Sequence, residues 1–388
     1  YEIRLSLVGS EMCIRDRYIM PNFKISESKI ISLLFKYIAE KVYSLWNKSY
    51  YWLKILKFAY SFLIHKFMRI FHRQAYLVLI STLAIFNGNA QSIEKIKYGD
   101  FSSWVTRHLH ESAVIGGNDK TVYEIGPKQT IDGNKPYIPT GGSPWGTSNV
   151  YAKVSGVVKT SNAVYPHDRG GGNLCAKMCA KIETVKVLGL INMDVMVAGS
   201  IFLGQMFEPI TSTKNPYAKM EMGIPFTKRP KALVFDYKVE MPNVDYRIKS
   251  SGFGSKKKLP GHDDAVVFMF LQRRWEDKDG KIHAKRVGTA GKLFSKSSGW
   301  VNGYRLPIVY GDASGDKSFA PYLRFRNDDR AYYARNSKGE MTKIIEEGWD
   351  SPDAQPTHLV MMFSSGNGEA YVGTEGLTLY VDNVGFAY

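Results

Sequence analysis

The chain has 388 residues, and its 52 Lys and Arg against 36 Asp and Glu set a formal charge of +16. Half of that excess lies in the first ninety residues, where 13 basic side chains face 5 acidic ones. The remainder is therefore only moderately basic, and a nucleic-acid partner drawn from whole-chain charge loses much of its support, so none is expected. Aromatic residues at 13% and many β-branched ones exclude a disordered chain.

In chain order, residues 1 to 67 read as foreign to the mature protein. The opening from Leu5 to Asp16 resembles a translated sequencing adaptor, and residues 20 to 67 have the Lys, Ile, Tyr and Phe bias of translated AT-rich non-coding DNA. The alternative is an amphipathic helical leader around Ile55 to Phe67, with Lys54, Lys57 and Lys66 at a membrane surface. Residues 68 to 90 read as a secretory signal peptide: a basic start from Met68 to Arg73, an apolar run from Tyr76 to Phe86, and a small-residue exit at Ala90. About twelve apolar residues are too few to span a bilayer that needs ~20, so no membrane span is expected in the mature form. The implied location is secreted or periplasmic, with cleavage after Ala90.

From Gln91 onward, helical periodicity is nearly absent, and short β-branched and aromatic runs recur between Gly, Pro, Asn and Asp clusters. Strands are expected at Val150 to Lys159, Leu174 to Glu183, Ser200 to Phe207, Lys231 to Glu240, Ala265 to Trp275, Trp300 to Tyr310, His358 to Phe363 and Leu377 to Phe386. Only Thr342 to Glu347 has a helical look. Pro242 to Gly261 reads as an insertion, and Asp168-Arg-Gly-Gly-Gly-Asn173 as a turn. Cys175 and Cys179 stand four apart, ~13 Å in an extended strand, too far for a disulfide. Irregular strand spacing without blade repeats predicts one all-β domain over 91 to 388, a two-sheet jelly-roll sandwich, with the last strand running to the C-terminus.

The ordered series Phe101-Ser-Ser-Trp104, Pro144 to Asn149, Leu174 to Lys177, Ala198 to Gly204, Gly223 to Pro230, Asp236-Tyr-Lys238 and Leu379 to Val384 resembles the putative carbohydrate metabolism domain family over 98 to 388. That resemblance implies a secreted bacterial β jelly roll in a glycan context, and supplies no catalytic residues.

Sugars are held by aromatic faces backed by polar groups. Trp145, Trp300 and Trp349, each beside a glycine, are candidate carbohydrate platforms, whereas Trp104 and Trp275 lie in strand-like runs and read as core. Tyr332 and Tyr333 with Arg330 and Arg335 form a second cluster, and Asn302 is a candidate partner for sugar hydroxyls. Asp382, in the apolar run of the last strand, needs a partner: a structural calcium with Asp100 as second acid, or a basic side chain and backbone N–H groups. His108 and His110 share a strand face, but two imidazoles are not a zinc site. Paired carboxylates among Glu124, Glu208 and Glu221 would need a separation that spacing cannot supply.

The leading expectation is thus a glycan-binding protein that assists carbohydrate uptake or degradation, with a carbohydrate as its partner. A glycoside hydrolase or polysaccharide lyase on the same fold is the alternative, and a surface adhesin the third.

Overall fold

The alternating residues at the C-terminus form the strand Thr378–Ala387, whose even positions to Asp382 face outward while Leu379, Val381, Val384 and Phe386 enter the core. In the computed structural model the chain divides into two units, Tyr1–Ala90 and Gln91–Tyr388. The structure describes residues 31, 32, 34–39, 41, 59–61, 92–187, 191–212, 215–252 and 255–388. In the first unit the described residues are helical and exposed, and the expected signal peptide at 68–90 lies outside the described residues. No described helix is long and apolar enough to cross a membrane.

Two sheets dominate the second unit, which is nearly all β. The smaller runs in the order Ser298–Pro307, Ala232–Glu240, Thr378–Ala387, Leu174–Cys179, Val164–Asp168, with Ile93–Lys95 also pairing with Thr378–Ala387. The larger contains His358–Ser364, Ala265–Glu276, Ile282–Phe294, Met341–Trp349, Tyr333–Arg335, Met220–Met222 and Ser200–Met206. Because Ser200–Met206 pairs with Met220–Met222 through one part and with His358–Ser364 through another, this sheet closes on itself. Closure satisfies the edge N–H and C=O groups that an open sheet would expose.

This arrangement explains the unbroken apolar run Ala265 to Leu271. Val267, Met269 and Leu271 pack toward the smaller sheet, with Phe363 meeting Phe235 edge-on at 5.0 Å. Val266, Phe268 and Phe270 point the other way, into a second core with Phe202, Ile344 and Val360. A strand buried on both faces needs apolar residues at every position, not alternate ones.

A buried ion pair lies inside the larger sheet. Arg286 and Glu346, both fully buried, meet through two nitrogen–oxygen contacts of 2.6 Å, and Gln272 donates to the same carboxylate at 3.0 Å. These residues tie Ala265–Glu276, Ile282–Phe294 and Met341–Trp349 together. Met341–Trp349 corrects the helical expectation for Thr342 to Glu347: it runs parallel to Ile282–Phe294, and that long-range ladder outweighs local propensity. Val150 to Lys159 is likewise not one strand but a hairpin, Val150–Val154 and Val157–Ser161, turned by Ser155 and Gly156 with φ of 49° and 81°. The insertion Pro242 to Gly261 supplies short strands to two three-stranded sheets, through Tyr246–Lys249 and Lys257–Pro260 in one and Ser251–Gly252 in the other. Cys175 and Cys179 are free thiols.

Candidate functional site

The outer face of the smaller sheet is where the chemistry collects. Strand pairing places Tyr165 opposite Lys177, Lys177 opposite Tyr380, and Tyr380 opposite Lys238, so four strands contribute one transverse row. His167 stands opposite Cys175, and Asp382 opposite Asp236, in the next row. Register alone dictates this, because side chains alternate between faces.

Asp236 and Asp382 would repel across the two strands were it not for Arg169. Its Nη1 donates to Asp236 Oδ2 at 2.9 Å and to Asp382 Oδ2 at 2.6 Å, and its Nη2 donates to Asn302 Oδ1 at 2.8 Å. The guanidinium carbon lies 3.8 Å from the Trp300 ring centroid, a cation–π stack. The remaining acceptors are also filled: Gly303 N–H and Asn383 Nδ2 donate to Asp236, and Asn383 N–H donates to Asp382. Burial pushes the Asp382 carboxyl upward, against the pull of Arg169 and of the Asn383 N–H.

The local chain explains how Arg169 is aimed. Gly170, Gly171 and Gly172 have φ of 128°, 67° and 81°, and Asp168 Oδ1 accepts the N–H groups of Gly170 and Gly172. Three successive residues in that region require glycine, and the turn is fixed at its mouth by Arg169 N–H on the Asn173 carbonyl. Arg169 is the residue of this cluster that sequence reasoning missed; an arginine before three glycines between strands was the available signal.

Of the residues singled out from sequence, Trp300, Asn302 and Asp382 come together here. Trp300 is partly exposed and meets Tyr380 edge-on at 6.2 Å. The others lie elsewhere. Trp145 is fully buried, edge-on to Phe101 at 5.2 Å and donating to the Lys97 carbonyl, so it is core and not a platform. Trp349 packs against Phe319 and Phe325 beside the Arg286 guanidinium. Tyr332 is buried among Phe268 and Phe270 inside the closed sheet, and Tyr333 is buried with its hydroxyl accepting from Asn215. Arg330 pairs with Asp328, and Arg335 with Glu221, both at the surface. Trp275, expected in the core, is 38% exposed and stacks on His283 near the end of its strand.

Asp100 is exposed and accepts from Ser102, and no hydrogen bond links it to Asp382. Arg169 is the basic partner of Asp382, one of the two alternatives for that carboxylate, and among the described residues no group of three or more acidic, His or Cys side chains is placed to hold a metal. His108 and His110 pair with Asp132 and Asp119 at the surface. Glu124 and Glu208 both bind the buried Arg107, at 2.9 and 2.6 Å, in a closed ionic triad. Burial pushes Glu124 up to about 8, Arg107 opposing.

A family model described as putative carbohydrate metabolism domain matches residues 124–294. That match covers less than half of the chain. The matched segment contains Arg169, Lys177 and Asp236, and the family described is the one the sequence resembles. Among solved structures, the chain is similar to a putative glycoside hydrolase from Bacteroides thetaiotaomicron VPI-5482, with 16% identity over 70% of this chain and 75% of that one and a TM-score of 0.37. It is also similar to a putative glycoside hydrolase from Bacteroides vulgatus ATCC 8482, with 13% identity over 76% of this chain and 95% of that one and a TM-score of 0.37. No curated protein matches the chain.

Proposed function

We propose that the protein is a secreted or periplasmic glycan-binding β-sandwich that assists carbohydrate uptake or degradation, and that the outer face of the smaller sheet is its binding surface. The observation that carries this reading is the partly exposed Trp300, held by Arg169 beside Asn302. A pyranose has an apolar C–H face that packs on an indole and hydroxyls that need fixed donors and acceptors nearby. The ion pairs under Trp300 fix those groups before any ligand arrives, which lowers the ordering cost of binding.

A glycan array on the protein, followed by titration of its best ligand, tests the proposal. Trp300→Ala should weaken that ligand by on the order of 1–3 kcal/mol, the value of burying a large apolar side chain, while unfolding free energy falls by only about 1 kcal/mol, the lost stack on Arg169. No ligand on the array, or equal affinity in the variant, removes this reading.

Hydrolysis is the second reading, favoured by one feature: two carboxylates on neighbouring strands, as a two-acid mechanism requires. Their oxygens are committed to Arg169, Gly303 and Asn383, so binding is the better supported function.

A further inference from the structure

At 38%, Trp275 is the most exposed aromatic residue described in the second unit. Alternation along Ala265–Glu276 puts it on the face that carries Val267, Met269 and Leu271 into the core. Past Leu271 the strand outruns the sheet that covers it, and Arg273, Trp275 and Glu276 are all exposed. Folding therefore buries little of this indole, and core packing does not account for it.

Strand pairing sets His283 opposite Trp275, and the two rings stack with centroids 5.6 Å apart and planes 14° apart. His283 Nδ1 lies 2.8 Å from Glu347 Oε1, and its Nε2 3.0 Å from Asp277 Oδ2. Carboxylates only accept, so both ring nitrogens must carry hydrogen, which makes the ring an imidazolium. The hydrogen bond to Asp277, with that to Glu347, accordingly holds the His283 pKa above its usual value. The construction repeats that around Trp300: a cation held by two carboxylates and stacked on an indole, Arg169 there and His283 here. It stands on the larger sheet, whereas Trp300 stands on the smaller.

The second likeness is in the indole N–H groups. Those of the core residues Trp104 and Trp145 donate to the carbonyls of Phe101 and Lys97. Those of Trp275 and Trp300 have no acceptor among the described residues. His283 occupies one face of Trp275, and no other ring or cation stacks on it among the described residues. What remains is an apolar ring surface, held in place by the stack, with a free donor at its edge. A pyranose fits both, through its C–H face and its hydroxyls, and a ring already fixed loses little freedom on binding. We infer that Trp275, backed by His283, is a second carbohydrate platform, taking a pyranose ring of a glycan chain at the end of the larger sheet. This rests on the glycan-binding reading and adds a second contact to it.

The experiment follows the indole N–H resonances of the full chain, labelled with ¹⁵N-tryptophan, during titration with trisaccharides of β-1,4-linked glucose, mannose and xylose and of α-1,4-linked galacturonate. The spectra of Trp275→Phe and Trp300→Phe assign the two signals. With each probe raised to ~10 mM, enough to fill a site of about 1 mM affinity, at least one should move both signals along saturable curves. In Trp300→Ala the Trp275 signal should still titrate. His283→Gln, which removes the stacked cation, should weaken binding at Trp275 about threefold and leave the Trp300 curve unchanged. A Trp275 signal that stays still while that of Trp300 moves overturns this inference and leaves the outer-face reading standing. The reverse result upholds the inference and removes the outer-face reading. Silence of both signals with every probe overturns the inference, and the glycan array judges the general reading separately. Self-association that Trp275→Ala abolishes, read by sedimentation, would assign the ring to a second copy of the chain and overturn it too.

Discussion

The guanidinium of Arg169 stacks on Trp300 at 3.8 Å while one of its nitrogens bridges Asp236 and Asp382. Removing it leaves two carboxylates facing each other across adjacent strands, the Asp382 side chain only 1% exposed. Arg169→Ala should lower unfolding free energy by about 3 kcal/mol, the low end for a broken buried pair, since the arginine keeps some contact with water. Urea denaturation reads this directly; a loss below about 1 kcal/mol would show that the strands hold the carboxylates without help. Arg169→Lys should recover part of the stability, but without the planar fork it cannot serve Asp236, Asp382 and Asn302 together.

The Arg107 triad predicts a pH dependence. One guanidinium faces two buried carboxylates, so the second negative charge is uncompensated, and Glu124 is pushed up to about 8 by burial. Its folded value exceeds the ordinary 4.5, so the native state holds a proton that the unfolded state has released. That contribution is full below about pH 4.5 and lost as pH rises through about 8, by up to ~1.4 kcal/mol per unit. Melting temperature should fall between pH 5 and pH 9, and Glu124→Gln, neutral throughout, should remove that part of the decline. An identical pH profile in the variant would assign the slope to other groups.

Gly204 has φ of 141° in Ser200–Met206, and a Cβ built there would lie 1.9 Å from the Glu221 carbonyl oxygen. The clash is with backbone and cannot be relieved by a rotamer change, at the place where the larger sheet passes from one neighbour to the other. Gly204→Ala should cost about 4 kcal/mol or more, at the extreme of single substitutions, and leave most of the protein insoluble on expression. A soluble variant with parental denaturation midpoint would show that the sheet need not close this tightly.

Two tryptophans should exchange the roles their sequence contexts suggest. Trp145→Ala removes a fully buried ring and should cost ~3–5 kcal/mol. Trp275→Ala removes a ring that is 38% exposed, and its effect on stability should stay far smaller, near ~0.5 kcal/mol. Denaturant midpoints of the pair decide the matter, and the reverse order would refute both assignments.

The all-β class, the strands at Ser200, Ala232, Ala265 and His358, and the last strand at the C-terminus were legible from residues alone. β-branched content, alternation and Gly or Asp turns act over a few neighbours, so they leave a mark in a short window. What a window cannot hold is the identity of the partner. Thr342 to Glu347 is strand because a segment about sixty residues earlier pairs with it, and Ile282–Phe294, the longest strand among the described residues, was missed because its Gly and Lys residues disguise it. Trp145, between proline and glycine, looked exposed until the sheets closed over it, and Trp275, in an apolar run, looked buried until the strand carried it to the surface. The site follows the same division: Trp300, Asn302 and Asp382 carried chemical signals of their own, whereas the arginine that joins them sits 133 and 213 residues away in sequence. Local physics sets what each segment becomes, and only long-range pairing sets which face, and which charge, it meets.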